Sequence, residues 1–446
     1  MYIKKVTIDN IRSISHFEME FPQPAGWHVL IGDNGAGKSS VVRAIAAALI
    51  GPEEIGGVLP IWSEWLREGA LTGKFELEIL QDRSVDIAGR GQPAKNKNII
   101  NLFSLSKDND RYVSLTTNAN ANTISPLNYN WSVNKGWFSV AYGPFRRFTG
   151  GDEKRNRVYL AYPKKAGPHL SVFGEDIALT EALNWLKELD RKRIKQTQSV
   201  QSNQVEESNV AYRNESEVLF QSIKSFINKS GLLPHGAQFD SVDLDGDVVF
   251  KDGNGNPVKV TQMSDGYRSI LSLMFELIRQ LVDNYGADMV FANLKTDAME
   301  AIFIPVPGVV LIDEIDAHLH PTWQTRIGQW FTQYFPNIQF IVTSHSPLVC
   351  RACEKGSIWR LAAPGSGHES GEITGVEKER LVFGNILDAY GTEVFGQSPV
   401  RSEKSNEKLE RLGKLNMLSA FGKISSEEET ERQELQQIFP TDAPII

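Results

Sequence analysis

The pattern of apolar and polar positions in the first fifty residues predicts two strands, then a buried strand and a helix. Apolar and polar residues alternate over residues 2–9 and again over 17–21, which is typical of an antiparallel edge. Residues 27–31 form a short, mostly apolar run of the buried-strand type. Residues 39–50 are rich in Val, Ala, Ile and Leu, and the helix that they predict stops at Gly51.

The last third of the chain alternates helical and extended patterns. An amphipathic helix starts near Gly266. The apolar runs 309–312 and 340–342 predict two strands, separated by a helix with Pro321 in its first turn. Buried strands that alternate with helices form a mostly parallel sheet covered on both faces. The tail from about residue 400 is charged and is predicted to be helical.

The middle of the chain is less regular. Residues 175–195 have helical spacing, whereas residues 196–217 have no apolar period and predict a mobile insertion. Segments 242–249 and 257–262 flank a turn rich in Gly and Asn, which predicts a hairpin.

Composition narrows the class of protein without giving a function. The 446 residues are 41% apolar and 23% charged, as in an ordinary globular protein of two or three units. A net charge of −8 argues against a chain that is basic throughout, although a local DNA-binding face stays open. We find no membrane-spanning run, no signal-peptide core and only two cysteines. We therefore expect a cytoplasmic protein with no membrane partner.

The segment Gly32–Ser39 fits the pattern G-x-x-x-x-G-K-[ST] and lies between a predicted strand and a predicted helix. The backbone N–H groups of such a loop, with the positive end of the helix dipole, bind phosphate, so the context disfavours a glycine turn with a chance lysine. Lys38 is predicted to reach the β- and γ-phosphates of a nucleotide and Ser39 to bind Mg²⁺. The predicted nucleotide contacts in the loop are Asp33, Asn34, Gly35, Ala36, Gly37, Lys38, Ser39 and Ser40.

Residues 309–314 place two carboxylates at the end of a predicted buried strand, where open parallel sheets bind ligands. We predict that Asp313 holds Mg²⁺ or its water and that Glu314 polarises the attacking water. Alone, such a run is usually structural. Together with the phosphate loop it indicates nucleotide hydrolysis, that is, an ATPase.

Three further motifs follow in a fixed order. Residues 263–268 open a long helix with Ser-x-Gly, residues 316–321 follow the Asp-Glu strand, and residues 343–346 end the next strand with a histidine. This order resembles an ABC-type ATPase head, most of all the branch that contains the SMC, Rad50 and RecF proteins. The resemblance covers about residues 1–50 and 255–362.

The resemblance implies an α/β fold with a mostly parallel core sheet, an antiparallel N-terminal β-subdomain, a helical insertion and a helical C-terminal tail. It places the N-terminal part of the head in residues 1–175 and the insertion in 176–235. The rest of the head falls in residues 236–362 and a partner-binding region in 363–446.

Heads of this family dimerise head to tail around two ATP molecules and use Mg²⁺. The resemblance therefore implies that Ser264 and Gly266 contact the γ-phosphate held by the opposite copy. His345 is implied as the switch histidine and Asp316 as the link between the two sites, although a lone histidine after a strand is more often structural. Arg12 is implied to reach the nucleotide, with a surface arginine as the alternative. The predicted catalytic residues are Lys38, Glu314 and His345.

The family's Q-loop glutamine is not evident in this sequence. Tyr142 or Arg146 stands in its place. The basic run from Arg146 to Lys165, interleaved with aromatic residues, is a candidate DNA contact, and a solvated basic face is the alternative.

The chain's size, the stretch from Thr343 to Arg360 and the tail 409–415 resemble the ATPase subunits of Septu-type anti-phage systems, including the retron-associated form. In these systems an HNH nuclease subunit rides on the ATPase, so an HNH partner is implied. Whether a retron reverse transcriptase with its DNA–RNA product belongs to the complex stays open. Leu409, Leu412 and Leu415 are candidate docking residues unless they pack on their own domain.

Two other functions stay open: a RecF-like repair ATPase that clamps DNA, and an ATP-gated scaffold with little turnover.

Three metal motifs are disfavoured. Cys350 and Cys353 have no second pair to complete a zinc site. Residues 243–247 carry their glycine too early for a calcium loop, and no glutamate closes it. His318 and His320 flank a leucine beside Asp316, where a metal role is open but disfavoured.

Overall fold

A computed structural model describes the greater part of the chain. The described residues are 1–59, 61–89, 91, 98–108, 112–117, 124–133, 135–144, 165–174, 180–201, 208–233, 236–243, 247–294, 302–365, 367–385, 389 and 403–439. They fall into two compact units, Met1–Val394 and Phe395–Ile446.

Within these residues the strands are β1 (Tyr2–Ile11), β2 (Ile14–Glu20), β3 (Gly26–Ile31), β4 (Thr72–Leu80), β5 (Ile99–Asp108), β6 (Tyr112–Thr116), β7 (Ser139–Tyr142), β8 (Gln238–Val242), β9 (Val248–Lys251), β10 (Pro257–Lys259), β11 (Gly308–Ile312), β12 (Ile338–Ser344), β13 (Ser357–Arg360) and β14 (Gly371–Ile373). The α-helices are α1 (Lys38–Ile50), α2 (Pro52–Val58), α3 (Thr180–Gln201), α4 (Ser208–Lys229), α5 (Asp265–Tyr285), α6 (Ala287–Val290), α7 (Pro321–Tyr334), α8 (Gly375–Phe383), α9 (Glu403–Ala420) and α10 (Ser426–Ile438).

The first unit is built on a six-stranded sheet in the order β14-β13-β3-β12-β11-β7. All neighbouring strands run parallel except β13 and β14. Strands β11 and β12 are buried along their whole length, which explains their uninterrupted apolar sequences. The carboxyl ends of β3, β11 and β12 therefore lie next to each other at one edge of the sheet.

A second, antiparallel sheet in the order β2-β1-β4-β5-β6 covers the other face of α1. Aromatic side chains fill the space between them: Phe75 and Phe103 stack with ring centroids 5.0 Å apart. Trp131 Nε1 donates to the Ala48 carbonyl at 2.8 Å near the end of α1. Because α1 is buried between two sheets, it is apolar almost all round.

The long helices α3 and α4 pack on each other. The prediction of a mobile insertion over 196–217 is wrong where the structure describes it, because α3 continues to residue 201 and α4 begins at 208. A helix pair needs only a narrow apolar stripe, here Leu186, Phe220 and Ile223, so its outer positions are polar.

The predicted hairpin is formed by β9 and β10, and segment 242–249 spans the end of β8 and the start of β9.

The second unit is a pair of helices, α9 and α10. Leu412, Leu415, Leu435 and Phe439 form its small core, with Leu409 packed against it. Leu412 and Leu415 are thus buried inside the unit, which is the alternative to a docking role.

The predicted fold class is confirmed: a mostly parallel sheet, an antiparallel N-terminal sheet, a helical insertion and a helical tail are all present. Among the helices of the described part, none combines the length and the apolar character that crossing a membrane requires.

Candidate nucleotide-binding site

The loop between β3 and α1 has the backbone of a phosphate cradle. Gly35 and Gly37 have φ angles of 78° and 108°, which L side chains rarely adopt. A Cβ at Gly37 would also lie 2.6 Å from Ser13 Oγ, so the loop packs closely on the β1–β2 turn. Within the described residues no side chain caps the N-terminus of α1. Its first N–H groups therefore face the loop as donors for an anion.

Lys38 closes the cradle. Its Nζ donates to the carbonyls of Gly32 at 2.7 Å and Asp33 at 3.0 Å, across the mouth of the loop. Burial lowers the pKa of the Lys38 ammonium, and nearby carboxylates, Asp313 first among them, oppose that shift. The Lys38 ammonium is a point charge that can bind phosphate oxygens, and the nearby carboxylates are the groups that a divalent cation would offset.

Asp313 and Glu314 follow β11 directly, as predicted from the sequence. The buried Asp313 receives the Thr343 hydroxyl at 2.6 Å, and its own N–H donates to the Tyr142 carbonyl at 2.8 Å. Glu314 has a φ angle of 48°, a left-handed conformation that is uncommon for a residue other than glycine. The turn carries both carboxylates to the sheet edge where the phosphate loop begins.

His345 and Asp316 are brought together beyond that edge. The His345 N–H donates to Asp316 Oδ2 at 3.4 Å. Asp316 Oδ1 is buried and has no hydrogen-bond partner among the residues that the structure describes. Burial, and then the charge of Lys38, lower the pKa of His345, which favours the neutral imidazole. A neutral imidazole can donate one hydrogen bond to a phosphate oxygen.

Ser264 is the N-cap of α5, at an exposed position, and its side chain makes no capping hydrogen bond. Gly266 lies against the loop after β11: a Cβ there would sit 2.8 Å from the His318 carbonyl oxygen. Only glycine fits this approach. The helix start that the sequence singles out therefore also contacts the Asp316–Pro321 loop of the same chain.

Arg12 is held on the β1–β2 turn beside the phosphate loop. Its φ angle is 48°, its N–H donates to the Trp65 carbonyl at 2.8 Å, and its guanidinium lies 4.9 Å from the centre of the Trp65 ring. Burial, followed by the charge of Arg43, lowers its pKa. A cavity of about 500 Å³ opens next to this turn and Ala36.

The structure places the other candidates less favourably. Tyr142 is buried at the end of β7, next to Ile312, whereas Arg146 lies outside the described residues. Most of the basic run from Arg146 to Lys165 also lies outside them. Its last residue, Lys165, is buried, so it cannot contribute to an exposed basic face.

No role for Thr343 is predicted from the sequence. In the structure its hydroxyl contacts both residues that follow β11, Asp313 and Glu314.

The donors at the site fit magnesium with a nucleotide better than a metal held by protein alone. Across the described ranges, no group of three or more His, Cys, Asp or Glu side chains is arranged to hold a metal ion. The Ser39 hydroxyl and the Asp313 carboxylate are hard oxygen donors, and Mg²⁺ takes few such ligands together with water and phosphate oxygens.

The disfavoured metal motifs have structural roles. Cys350 and Cys353 are fully buried. The Lys259 ammonium lies 2.9 Å from Asp243 Oδ2 and 3.0 Å from Asp247 Oδ2, where a calcium loop would place its cation. His320 caps α7 by accepting the Thr322 N–H.

Comparisons with known proteins agree with this geometry. A family model described as "AAA domain, putative AbiEii toxin, Type IV TA system" matches residues 28–351, and one described as "AAA ATPase domain" matches residues 1–51. The Septu protein PtuA of Bacillus mycoides is 26% identical over 369 residues, which cover 80% of this chain and 40% of that protein. The "Retron Ec83 probable ATPase" of Escherichia coli is 39% identical over 110 residues, 25% of this chain and 18% of that protein.

These relatives confirm the resemblance to Septu-type and retron-associated ATPases. The chain spans less than half the length of either relative. Among solved structures, an SMC head bound to the C-terminal winged-helix domain of ScpA is 15% identical with a TM-score of 0.47, covering 85% of this chain and 99% of that chain. The fold assignment therefore rests on the strand order described above.

Proposed function

This chain belongs to the AAA-domain family whose model it matches, and we propose that it binds Mg²⁺-ATP in the loop of residues 32–39 and hydrolyses it. One observation carries the proposal. The phosphate loop, the Asp313-Glu314 pair and His345 follow three strands that are neighbours in one parallel sheet, so their side chains meet at one edge.

Each group has a chemical role in this proposal. Lys38 and the N–H groups of the loop bind the β- and γ-phosphates, and Ser39 with Asp313 would hold the Mg²⁺. The cation, when bound, neutralises charge that develops on the phosphate oxygens. Glu314 orients and polarises the attacking water, and the neutral His345 donates a hydrogen bond to the γ-phosphate.

We further propose that two heads close on two ATP molecules, with α5 of each facing the nucleotide of the other. Ser264 is exposed at the N-terminus of that helix and its hydroxyl is not used to cap it. Such a helix start supplies N–H donors and a positive dipole end to a phosphate. Asp316, beside His345, would couple the two sites across the interface.

We propose that the biological role of this ATPase is to control an HNH nuclease in anti-phage defence. The relatives named for Septu and retron systems support it. Large apolar side chains are exposed in the second unit: Met417 on α9 is 61% exposed, and Phe421 in the turn after α9 is 74% exposed. We assign the surface that these two form to the nuclease. A retron reverse transcriptase with its DNA–RNA product, and direct contact with DNA, are further proposed partners.

The test is the variant Glu314→Gln, with Glu379→Gln on the exposed face of α8 as its matched control. We expect E314Q to lower ATP hydrolysis by about a hundredfold or more. It should retain bound ATP and run as a dimer in light scattering, while E379Q behaves like the wild type. Wild-type hydrolysis no faster than that of E314Q would contradict the enzyme proposal and favour a scaffold.

The nuclease proposal has its own test. We expect a small HNH protein encoded beside this chain to co-purify with it, and to be released when Phe421 is changed to Asp. ATPase activity stimulated by DNA ends or gaps, without such a protein, would instead favour a repair ATPase.

A further inference from the structure

Thr343 links the ends of two strands at the candidate site. It lies in β12, is completely buried, and faces the end of β11. Its hydroxyl donates to Asp313 Oδ1 at 2.6 Å and accepts the Glu314 N–H at 2.8 Å, and its carbonyl accepts the Ile315 N–H at 3.0 Å. One residue of β12 thus binds three consecutive residues after β11.

The direction of these hydrogen bonds is fixed by chemistry. An amide N–H can only donate, so the Thr343 oxygen must accept from Glu314. The single hydroxyl proton is therefore directed to the Asp313 carboxylate. This bond is charge-assisted and holds Oδ1, so it restrains the rotation of the carboxylate and with it the position of Oδ2.

The same hydroxyl supports an unusual backbone conformation. Glu314 has a φ angle of 48°, and a residue other than glycine stays in this region only where its surroundings hold it there. The bonds from the N–H groups of Glu314 and Ile315 to Thr343 are such restraints. Because φ determines the direction of the Cα–Cβ bond, they also determine where the Glu314 carboxylate begins.

We propose that Thr343 is a positioning residue of the ATPase site: its hydroxyl orients the Asp313 carboxylate towards the divalent cation and the Glu314 carboxylate towards the attacking water. Thr343 acts through these two residues and does not itself touch the nucleotide. The inference rests on the proposed function. It differs from a purely structural role, in which any buried side chain of similar volume would serve.

Two pairs of variants isolate the hydroxyl. Thr343→Val keeps the branched shape and replaces the oxygen by a methyl group, whereas Thr343→Ser keeps the oxygen and loses the methyl group. Thr343→Ala differs from Thr343→Ser by the oxygen alone, so this second pair decides the question if the valine variant does not fold. Thr325→Val, on the outer side of α7, is the control for the same substitution elsewhere.

The first measurement does not depend on turnover. Mn²⁺ binding to each protein loaded with ATPγS is followed by electron paramagnetic resonance, and ATP affinity is measured separately in EDTA. We expect T343V and T343A to weaken Mn²⁺ binding by about tenfold, the loss typical when a partner of a metal ligand is removed. T343S and T325V should stay within about threefold of the wild type, and ATP affinity in EDTA should be unchanged in all four variants.

The second measurement is hydrolysis at saturating ATP and Mg²⁺, where we expect kcat to fall about ten- to a hundredfold in T343V and T343A and to be retained in T343S. Equal losses in T343S and T343A would overturn the proposal, as would wild-type Mn²⁺ affinity and kcat in T343V. If the wild type binds ATPγS and Mn²⁺ without hydrolysing ATP, the proposed function fails while the Mn²⁺ series still decides the role of Thr343. A wild type that binds neither would overturn both.

Discussion

Gln339 gives the most direct test of how the six-stranded and the five-stranded sheets of the first unit are joined. Its side chain lies in β12 and is completely buried. It accepts the Ile3 N–H at 2.7 Å and donates to the Ile3 carbonyl at 2.9 Å. The amide thus pairs with one residue of β1 as a neighbouring strand would, at the point where the β1–β4 register shifts.

Replacing Gln339 by Leu removes both partners and leaves the buried N–H and C=O of Ile3 without hydrogen bonds. Each buried, unpaired group costs about 1–3 kcal/mol. The added burial of an apolar side chain offsets about 1–2 kcal/mol of this total. We therefore expect Q339L to lower the free energy of unfolding by about 1–4 kcal/mol.

Urea unfolding of the whole chain, followed by tryptophan fluorescence and circular dichroism together, measures this change. Gln329→Leu is the matched control, because Gln329 is exposed on α7 and its substitution should change stability by no more than about 0.5 kcal/mol. If Q339L is no less stable than Q329L, the hydrogen bonds to Ile3 do not hold the sheets together and the reasoning fails.

Three other buried groups, one histidine and two cysteines, give simpler predictions. Burial lowers the pKa of His28 from 6.5 to about 4. The unfolded chain is therefore protonated first as the pH falls, and stability should fall between about pH 6.5 and pH 4 by up to about 1.4 kcal/mol per pH unit. His28→Gln should reduce the difference between urea unfolding at pH 5 and pH 7; an unchanged difference would contradict the assignment. Burial also raises the pKa of both Cys350 and Cys353. Neither thiol should react with a thiol reagent until the chain unfolds, and a reactive cysteine in the native protein would be inconsistent with this packing.

The elements that carry the candidate site were predictable because each is encoded locally. The apolar runs of β3 and β11 end in polar motifs, and parallel strands bring their carboxyl ends to one edge, so the meeting of Lys38 with Asp313 follows from sequence alone. The start of α5 at Ser264 is likewise a local signal.

Contacts that depend on strand register or on helix pairing were not predictable. Thr343 and Asp313 are 30 residues apart and Gln339 and Ile3 are 336 apart, and nothing in either local sequence indicates its partner. Residues 208–217 were mispredicted for a related reason. Their helix is stabilised by packing against α3, and a single apolar stripe on a long polar helix gives only a weak periodic signal.

The loop of residues 316–318 shows why the proposed site and the proposed dimer contact should respond to each other. At one end, Asp316 accepts the N–H of His345, beside the phosphate loop. At the other end, the His318 carbonyl lies against Gly266, where no Cβ would fit. His318 itself has a φ angle of 65°, a conformation that persists only where the surrounding structure holds it. A shift of His345 on contact with a γ-phosphate would therefore reach the start of α5 through three residues, and α5 is the helix that we propose faces the second nucleotide.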